Sequence, residues 1–248
     1  MKSIPAAFIF FTRLPFWRIF SPPKEAYRNV VHYWSVAGWL TAAVMAGVLW
    51  AAAQVLPYMM AVLLAMLSRV LLTGALHEDG LADFFDGFGA GGSRERILGI
   101  MKDSHIGTYG VISLVFYFGL LAFALFSLPL PLACMAILAG DPLCKFIASN
   151  IVALPYARPE SESKSLTVYN RYKPLVFTAS ALFGIIPLLL LLDTPFWLAA
   201  ALPLLVFIGL ILLMKKKLNG YTGDCCGAMF LLCELSFYIG MVIIARFP

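Results

Sequence analysis

Apolar stretches of about 20 residues alternate with shorter polar segments along most of the chain. A helix needs about 20 consecutive apolar residues to cross a bilayer. The stretches cover approximately residues 37–56, 57–76, 109–129, 131–153, 174–193, 195–214 and 227–246. Proline-containing breaks at residues 57, 129–131 and 193–195 indicate tight hairpins between neighbouring stretches. The pattern predicts an all-α, polytopic integral membrane protein with about seven transmembrane helices.

The N-terminal region has a different pattern. Residues 5–20 form a short apolar run that Arg13 and Arg18 interrupt, and no small-residue cleavage site follows a clean apolar core. This pattern is untypical of a signal peptide and favours an amphipathic helix at the membrane interface. We therefore expect residues 1–30 to form an interfacial helix and a cytoplasmic segment.

Composition supports the membrane class. The 248 residues are 62% hydrophobic and 12% charged, whereas soluble domains are about 45–50% apolar and about 25% charged. We expect a single membrane-embedded domain over residues 1–248. The five cysteines show no CxxC pair and no cysteine–histidine spacing typical of zinc.

Basic residues mark one side of the predicted membrane protein. Of the 18 basic residues, all but Arg69, Lys145 and Arg246 lie in the N-terminal segment or in three polar loops. The loops cover residues 77–108, 154–173 and 215–226. Because positive charge marks the cytoplasmic side, the N-terminus and all three loops are expected in the cytoplasm. The net charge of +5 follows from this topology and requires no nucleic-acid partner.

The run of residues 77–87 is the strongest candidate for chemistry, since it holds four of the 13 acidic residues. If the run is helical, Asp79, Asp83 and Asp86 share one face at positions i, i+4 and i+7. Mg²⁺ relieves the repulsion of such a stripe, because it prefers carboxylate oxygens and completes its shell with substrate phosphates. The run predicts a Mg²⁺–phosphate site at the membrane edge, with Glu78 as a fourth candidate ligand. The alternative is a solvated acidic helix end.

The interior of the predicted spans contains the charged residues Arg69, Asp141, Lys145 and Glu234. Such residues are costly in lipid and usually face a cavity or one another. Arg69 precedes the acidic face by two turns and could reach a phosphate or a carboxylate. Asp141 and Lys145 are four residues apart and could simply pair.

Further polar candidates follow the acidic run. Ser93 is a good N-cap for a helix that reaches about Lys102. The candidates for contacting a substrate phosphate are Arg94, Arg96, Lys102, His105 and Gly107, with Asp103 as a candidate catalytic carboxylate. Cations beside a carboxylate–metal centre offset the charge that develops in phosphoryl transfer. The alternatives are membrane topology alone for the two arginines and a structural role for the histidine.

Asp224 stands between glycines at the start of the last predicted span. It could be a further metal ligand or a base for a substrate hydroxyl. A turn-forming aspartate is the alternative.

Four segments carry a family resemblance: FTRLP at residues 11–15, HEDGLAD at 77–83, IMKDSHIGTYG at 100–110, and GYTGD at 220–224 followed by Gly227-Ala228. Together they resemble the cobalamin synthase (adenosylcobinamide-GDP ribazoletransferase) family, in the expected order and over most of the chain. Phe84-Phe85 before Asp86 and Cys225-Cys226 after Asp224 depart from the family's pattern. Neither departure removes a carboxylate.

The resemblance implies a Mg²⁺-dependent, multi-pass enzyme of the bacterial cytoplasmic (inner) membrane that acts late in cobalamin biosynthesis. Such an enzyme would join adenosylcobinamide-GDP to α-ribazole or α-ribazole 5′-phosphate. The products would be adenosylcobalamin, or its 5′-phosphate, and GMP. The implied partners are these substrates and the lipid bilayer, and a homo-oligomer is left open.

Our hypothesis assigns roles to the candidates under this resemblance. Asp79, Asp83 and Asp86 would hold Mg²⁺ on the diphosphate. Arg94, Lys102 and Arg69 would stabilise developing charge. Asp103 or Asp224 would orient or deprotonate the attacking hydroxyl.

Two other functions fit parts of the pattern. A CDP-alcohol phosphatidyltransferase also has an aspartate cluster at the membrane edge, but Asp83 stands where that family has alanine and its downstream aspartate spacing is missing. An ion-coupled transporter would need acidic residues near the bilayer midplane and often repeated halves. Here the acidic residues cluster at the predicted cytoplasmic edge, and no repeat is evident.

Overall fold

The computed structural model describes residues 2–158 and 169–247. Regular structure in these residues is helical, with one isolated bridge between Tyr156 and Tyr221. The α-helices are α1 (Ser3–Phe11), α2 (Trp34–Ala52), α3 (Tyr58–Thr73), α4 (Leu76–Ala90), α5 (Arg94–Lys102), α6 (Thr108–Phe126), α7 (Leu130–Ser149), α8 (Pro174–Ile185), α9 (Ala201–Leu218) and α10 (Gly223–Arg246). Short 3₁₀ segments extend or join them at Phe16–Arg18, Lys24–Tyr33, Asn150–Ala153, Ile186–Leu191 and Pro195–Ala200. The predicted all-α class is confirmed.

Six helical segments in the described chain are long and apolar enough to cross a membrane. They are Lys24–Ala52, Thr108–Phe126, Leu130–Ala153, Pro174–Leu191, Pro195–Leu218 and Gly223–Arg246. α3 and α4 pass the same test together but meet at 90°, so the number becomes seven if this pair counts as one span. The prediction of about seven membrane helices is confirmed in that sense.

The second predicted span ends early, at the corner between α3 and α4. Gly74 and Ala75 both adopt left-handed backbone, with φ of 66° and 57°, and α3 stops at Thr73. Glycine in this conformation is a common helix stop. A Cβ on Gly74 would collide with the side chain of Arg13, whose backbone N–H donates to the Leu72 carbonyl at 2.7 Å. The corner turns the acidic run away from the axis of α3.

Two regions differ from the sequence-based expectation in their helical extent. The stretch 77–108, expected as a polar loop, consists largely of α4 and α5, and α5 confirms the helix predicted from Ser93 to about Lys102. The N-terminal helix, expected over residues 5–20, ends at Phe11. Ala6, Ala7 and Phe11 are buried on the protein side, where α1 packs on the 3₁₀ segment before α2.

The three polar loops meet at one end of the bundle. Arg94 links them, because its Nε donates to the Leu218 carbonyl at 2.7 Å and its Nη2 donates to the Ala157 carbonyl. The Tyr221 N–H adds a bond to the Pro155 carbonyl at 3.0 Å. The hairpins lie at the opposite end. α10 runs through the middle of the bundle and packs on α4, α6, α7 and α9.

The predicted pairing of Asp141 with Lys145 is present as a buried ion pair within the spans. Lys145 Nζ lies 2.6 Å from Asp141 Oδ1 on α7, and both side chains are fully buried. Thr41 on α2 donates to the other oxygen of Asp141 at 2.9 Å. The two charges thus satisfy each other and need no substrate.

Candidate active site

A cavity of about 120 Å³ opens where α4 and α10 begin, at the end of the bundle that carries the polar loops. The N-terminal region supplies Phe10, Phe11, Val31 and Trp34; α4 supplies Leu76, His77, Asp79 and Gly80; the loop after α7 supplies Tyr156, Arg158 and Tyr169; and α10 supplies Gly223, Asp224, Cys226 and Gly227. Acidic, basic and aromatic side chains therefore line one cavity. The cavity volume is below the roughly 300–1,000 Å³ of ordinary ligand pockets, so only part of a large substrate fits inside.

Two glycines let α4 and α10 approach closely enough to form this cavity. A Cβ on Gly80 would lie 2.9 Å from the Asp224 carbonyl oxygen, and a Cβ on Gly227 would lie 2.9 Å from the His77 carbonyl oxygen. Real Cβ atoms essentially never come so close, so each helix requires glycine where the other crosses it. The contact places Asp79 and Asp224 on the same cavity.

The two aspartates differ in their surroundings. Asp79 is exposed in the first turn of α4, whereas Asp224 is 8% exposed in the first turn of α10. Thr222 caps α10 by accepting the Cys225 N–H, and its hydroxyl donates to Asp224 Oδ2 at 3.3 Å. Both carboxylates lie at a helix start, where negative charge is favoured.

The three aspartates of α4 do not all face the cavity. Asp83 is half-buried, one turn beyond Asp79, and lies outside the cavity lining. Asp86 is buried and accepts the Gly107 N–H at 2.7 Å and the Gly110 N–H at 2.8 Å, one on each carboxylate oxygen. It thereby satisfies amide groups at the start of α6, which have no partner within that helix. Asp86 therefore caps the start of α6, with Gly107 as one of its amide partners. Because both of its oxygens are engaged, we do not assign Asp86 to the metal site.

Glu78 points to the other side of α4, into the bundle. It is 4% exposed, and neither carboxylate oxygen has a hydrogen-bond partner in the described residues. It lies close enough to Arg69 to interact with it electrostatically. Arg69 itself pairs with Glu234 and donates to the Tyr117 hydroxyl at 2.7 Å. The structure therefore places Arg69 and Glu78 in a buried charge cluster, outside the residues that line the cavity.

The other candidates lie beyond the cavity wall. Arg94 holds the loop carbonyls described above. Arg96 and Lys102 are exposed on α5. Asp103 accepts the His105 N–H at 3.0 Å and lies 2.7 Å from its Nδ1, on the surface. These hydrogen bonds hold the pKa of Asp103 below its ordinary value.

Arg158 is the site residue that the sequence analysis missed. It lines the cavity, is 7% exposed, and donates to the Leu98 carbonyl at 2.6 Å. Its one signal in the sequence is the positive charge of its loop, which topology alone explains. Burial raises the pKa of the nearby Tyr169 hydroxyl well above its ordinary value, so this tyrosine stays protonated.

The arrangement fits a metal shared with a substrate better than a metal cage. No three histidine, cysteine, aspartate or glutamate side chains in residues 2–158 and 169–247 are placed to hold an ion together. Mg²⁺, however, is commonly held by one or two carboxylates and completed by substrate phosphates. The oxygen donors of Asp79, Asp83 and Asp224 fit that mode in their chemistry.

Comparisons with known proteins agree with the motifs. A family model described as cobalamin-5-phosphate synthase matches residues 3–242. A protein of Shewanella sp. (strain W3-18-1) named adenosylcobinamide-GDP ribazoletransferase is 36% identical over 95% of this chain and 91% of its own length. Proteins of the same name from Shewanella oneidensis and Leptospira interrogans are 33% and 32% identical, over 98% and 96% of this chain and 95% and 94% of theirs. No solved structure matches the chain.

Proposed function

The chain belongs to the cobalamin-5-phosphate synthase family of membrane enzymes, and from that premise we propose the reaction and the roles of its residues. The substrates are adenosylcobinamide-GDP and α-ribazole or α-ribazole 5′-phosphate. A ribazole hydroxyl oxygen forms a bond to the phosphorus that carries cobinamide, the bond from that phosphorus to GMP breaks, and the hydroxyl loses its proton. The products are adenosylcobalamin, or its 5′-phosphate, and GMP.

One observation carries this proposal. The glycine contact between α4 and α10 brings Asp79 and Asp224, which are 145 positions apart in the sequence, to one cavity that also holds Arg158. Carboxylates and a cation around one opening are the groups that positioning and charge stabilisation in phosphoryl transfer require.

The residues in the cavity, and Asp83 next to it on α4, have distinct proposed roles. Asp79 and Asp83 bind Mg²⁺ together with the diphosphate, and the ion offsets charge on the phosphates when it is bound. Asp224 is less exposed and orients the ribazole hydroxyl or accepts its proton. Arg158 adds a positive charge to the same cavity.

The loop beyond α5 serves the part of the substrate that does not fit the cavity. Asp79 and Asp86 are seven residues apart on α4, or about 10 Å along its axis. The Asp86 bond to Gly107 anchors that loop at the far end of α4. We place the bulk of the corrinoid over the exposed side chains of Lys102, Asp103 and His105. We place this face of the protein in the cytoplasm, in the inner membrane of a bacterium, from the charge distribution.

The test is GMP release by purified protein in nanodiscs. Protein supplied with adenosylcobinamide-GDP should release GMP only when ribazole is added, and EDTA should abolish release until Mg²⁺ is restored. Asp83→Asn should raise the Mg²⁺ concentration needed for half-maximal rate. Ribazole-independent GMP release would contradict the transfer reaction. Full activity in EDTA would contradict the proposed requirement for Mg²⁺.

A further inference from the structure

Two residues that line the cavity each carry a buried side-chain nitrogen with no hydrogen-bond partner in the described residues. The nitrogens are Nε1 of Trp34, at the start of α2, and Nε2 of His77, in the first turn of α4. The two residues are 1% and 3% exposed, and both line the cavity. Leaving a buried polar group without a partner is unfavourable. Two such groups on residues that line one cavity indicate that a ligand supplies the missing partners.

The walls around these nitrogens are aromatic. The Trp34 ring stacks on Phe11 with centroids 5.0 Å apart and an angle of 8° between planes, and its centroid lies 5.3 Å from that of His77. Phe10, Tyr156 and Tyr169 are the other aromatic residues of the lining. Aromatic surfaces favour flat ligands that can pack in offset or edge-on arrangements. The cavity is therefore suited to a planar ring that carries few polar atoms.

We propose that this cavity binds the heteroaromatic base of the acceptor riboside, with the Trp34 Nε1–H donating to the ring nitrogen that carries no substituent. The inference rests on the proposed function, which makes ribazole the acceptor. Tryptophan is a donor only, so its partner must be an acceptor. The base of a riboside joined through one ring nitrogen presents its second ring nitrogen as that acceptor. The His77 Nε2 contacts the same ring from the neighbouring wall.

The position of the aspartates agrees with this orientation. Asp79 is exposed and marks the open side of the cavity, whereas Trp34 and His77 are almost completely buried. A base held against the two nitrogens directs its ribose toward the carboxylates, where the attacking hydroxyl is needed. The guanine of the donor is a poorer occupant, because its many polar edge atoms would face aromatic rings and remain unpaired.

The test uses Trp34→Phe, which keeps a flat ring and removes the N–H. We expect the affinity for α-ribazole, measured by calorimetry in nanodiscs without the donor, to fall about tenfold, the equivalent of one neutral hydrogen bond. The KM for ribazole should rise to the same extent, while the KM for adenosylcobinamide-GDP stays constant. A riboside whose base has no acceptor nitrogen should bind wild type and variant equally.

Trp39→Phe is the matched control. Trp39 also lies on α2 and donates its Nε1–H, to the Phe183 carbonyl at 2.8 Å, but it is 44% exposed and outside the cavity lining. The Trp39→Phe variant should bind ribazole with the affinity of the wild type.

Other results overturn the inference. A Trp34→Phe effect on adenosylcobinamide-GDP alone would place guanine in the cavity, and no effect on either substrate would assign the nitrogens to bound water. Ribazole binding that depends on Trp34 in a wild type that releases no GMP would support the base site while contradicting the proposed reaction.

Discussion

Replacing Arg69 by methionine tests whether this arginine serves the structure of the bundle or the substrate. The sequence left both roles open. In the structure Arg69 is 1% exposed, pairs with Glu234, donates to Tyr117, and lies 5.8 Å from the centre of the Phe230 ring. The carboxylate of Glu78 is its further electrostatic partner. Arg69 is thus the shared cation of two buried carboxylates.

The expected cost of the substitution follows from this arrangement. Breaking a buried ion pair by removing one partner costs about 3–5 kcal/mol, because the other charge stays buried without compensation. Arg69→Met leaves two buried carboxylates without their cation, so we expect it to lower the free energy of unfolding by about 5 kcal/mol. Glu234→Gln leaves Arg69 with Glu78, so we expect a loss of about 3 kcal/mol. For a chain of this size, about 5 kcal/mol lowers Tm by roughly 10–20 °C.

The assay is thermal unfolding in nanodiscs, combined with GMP-release kinetics well below Tm. The double variant Arg69→Met/Glu234→Met should be destabilised by less than the sum of its single variants, since an apolar pair replaces both charges. The KM for adenosylcobinamide-GDP should stay constant in Arg69→Met. A raised KM at unchanged Tm would refute the reasoning and place Arg69 on a substrate phosphate.

Three further predictions concern the helix contacts and the surface loop. Gly80→Ala should lower the free energy of unfolding by about 1–3 kcal/mol and reduce GMP release, because its Cβ would force α10 away from α4. Gly119→Ala is the control, since a Cβ at Gly119 meets open space. Equal activity of the two variants would contradict the close approach of the helices. Asp86→Ala should cost about 1–2 kcal/mol of helix capping and leave the Mg²⁺ requirement unchanged; a shifted Mg²⁺ dependence would instead make it a ligand. His105→Ala should raise the pKa of Asp103 in an NMR titration. At a pH above the unfolded-state pKa of Asp103, the hydrogen bonds from His105 stabilise the loop, and this stabilisation is lost as the pH falls through the lower pKa of the folded state. An unchanged Asp103 pKa in the variant would contradict the contact with His105.

Hydropathy and charge were sufficient to predict the membrane helices and the gathering of the polar loops. These properties depend on local composition, so a single sequence carries them. The spacing of the acidic run places its aspartates on one face only if the run is helical, and α4 shows that it is. The helical period could not show that the run begins after a sharp corner, because that corner depends on the left-handed backbone at Gly74 and Ala75 and on the packing of Arg13.

The roles of individual carboxylates depended on distant partners. Asp86 has the same spacing signal as its neighbours, but its partners are amides of Gly107 and Gly110, 21 and 24 residues further along. Asp224 could be proposed from its isolation, whereas its meeting with Asp79 depends on a contact between two helices. The unsatisfied nitrogen of Trp34 becomes visible only when the wall around it is known. No period or motif marks such a residue.

The most direct test of the account is the turnover of Asp79→Asn, measured as GMP release with saturating adenosylcobinamide-GDP, ribazole and Mg²⁺. Asp193→Asn is the matched control, since Asp193 is an exposed aspartate in the hairpin at the opposite end of the bundle. The account predicts a loss of about 100-fold or more in Asp79→Asn, the usual scale for removing a group that stabilises developing charge, with wild-type turnover in Asp193→Asn. Wild-type turnover in a folded Asp79→Asn would contradict an active site at the junction of α4 and α10.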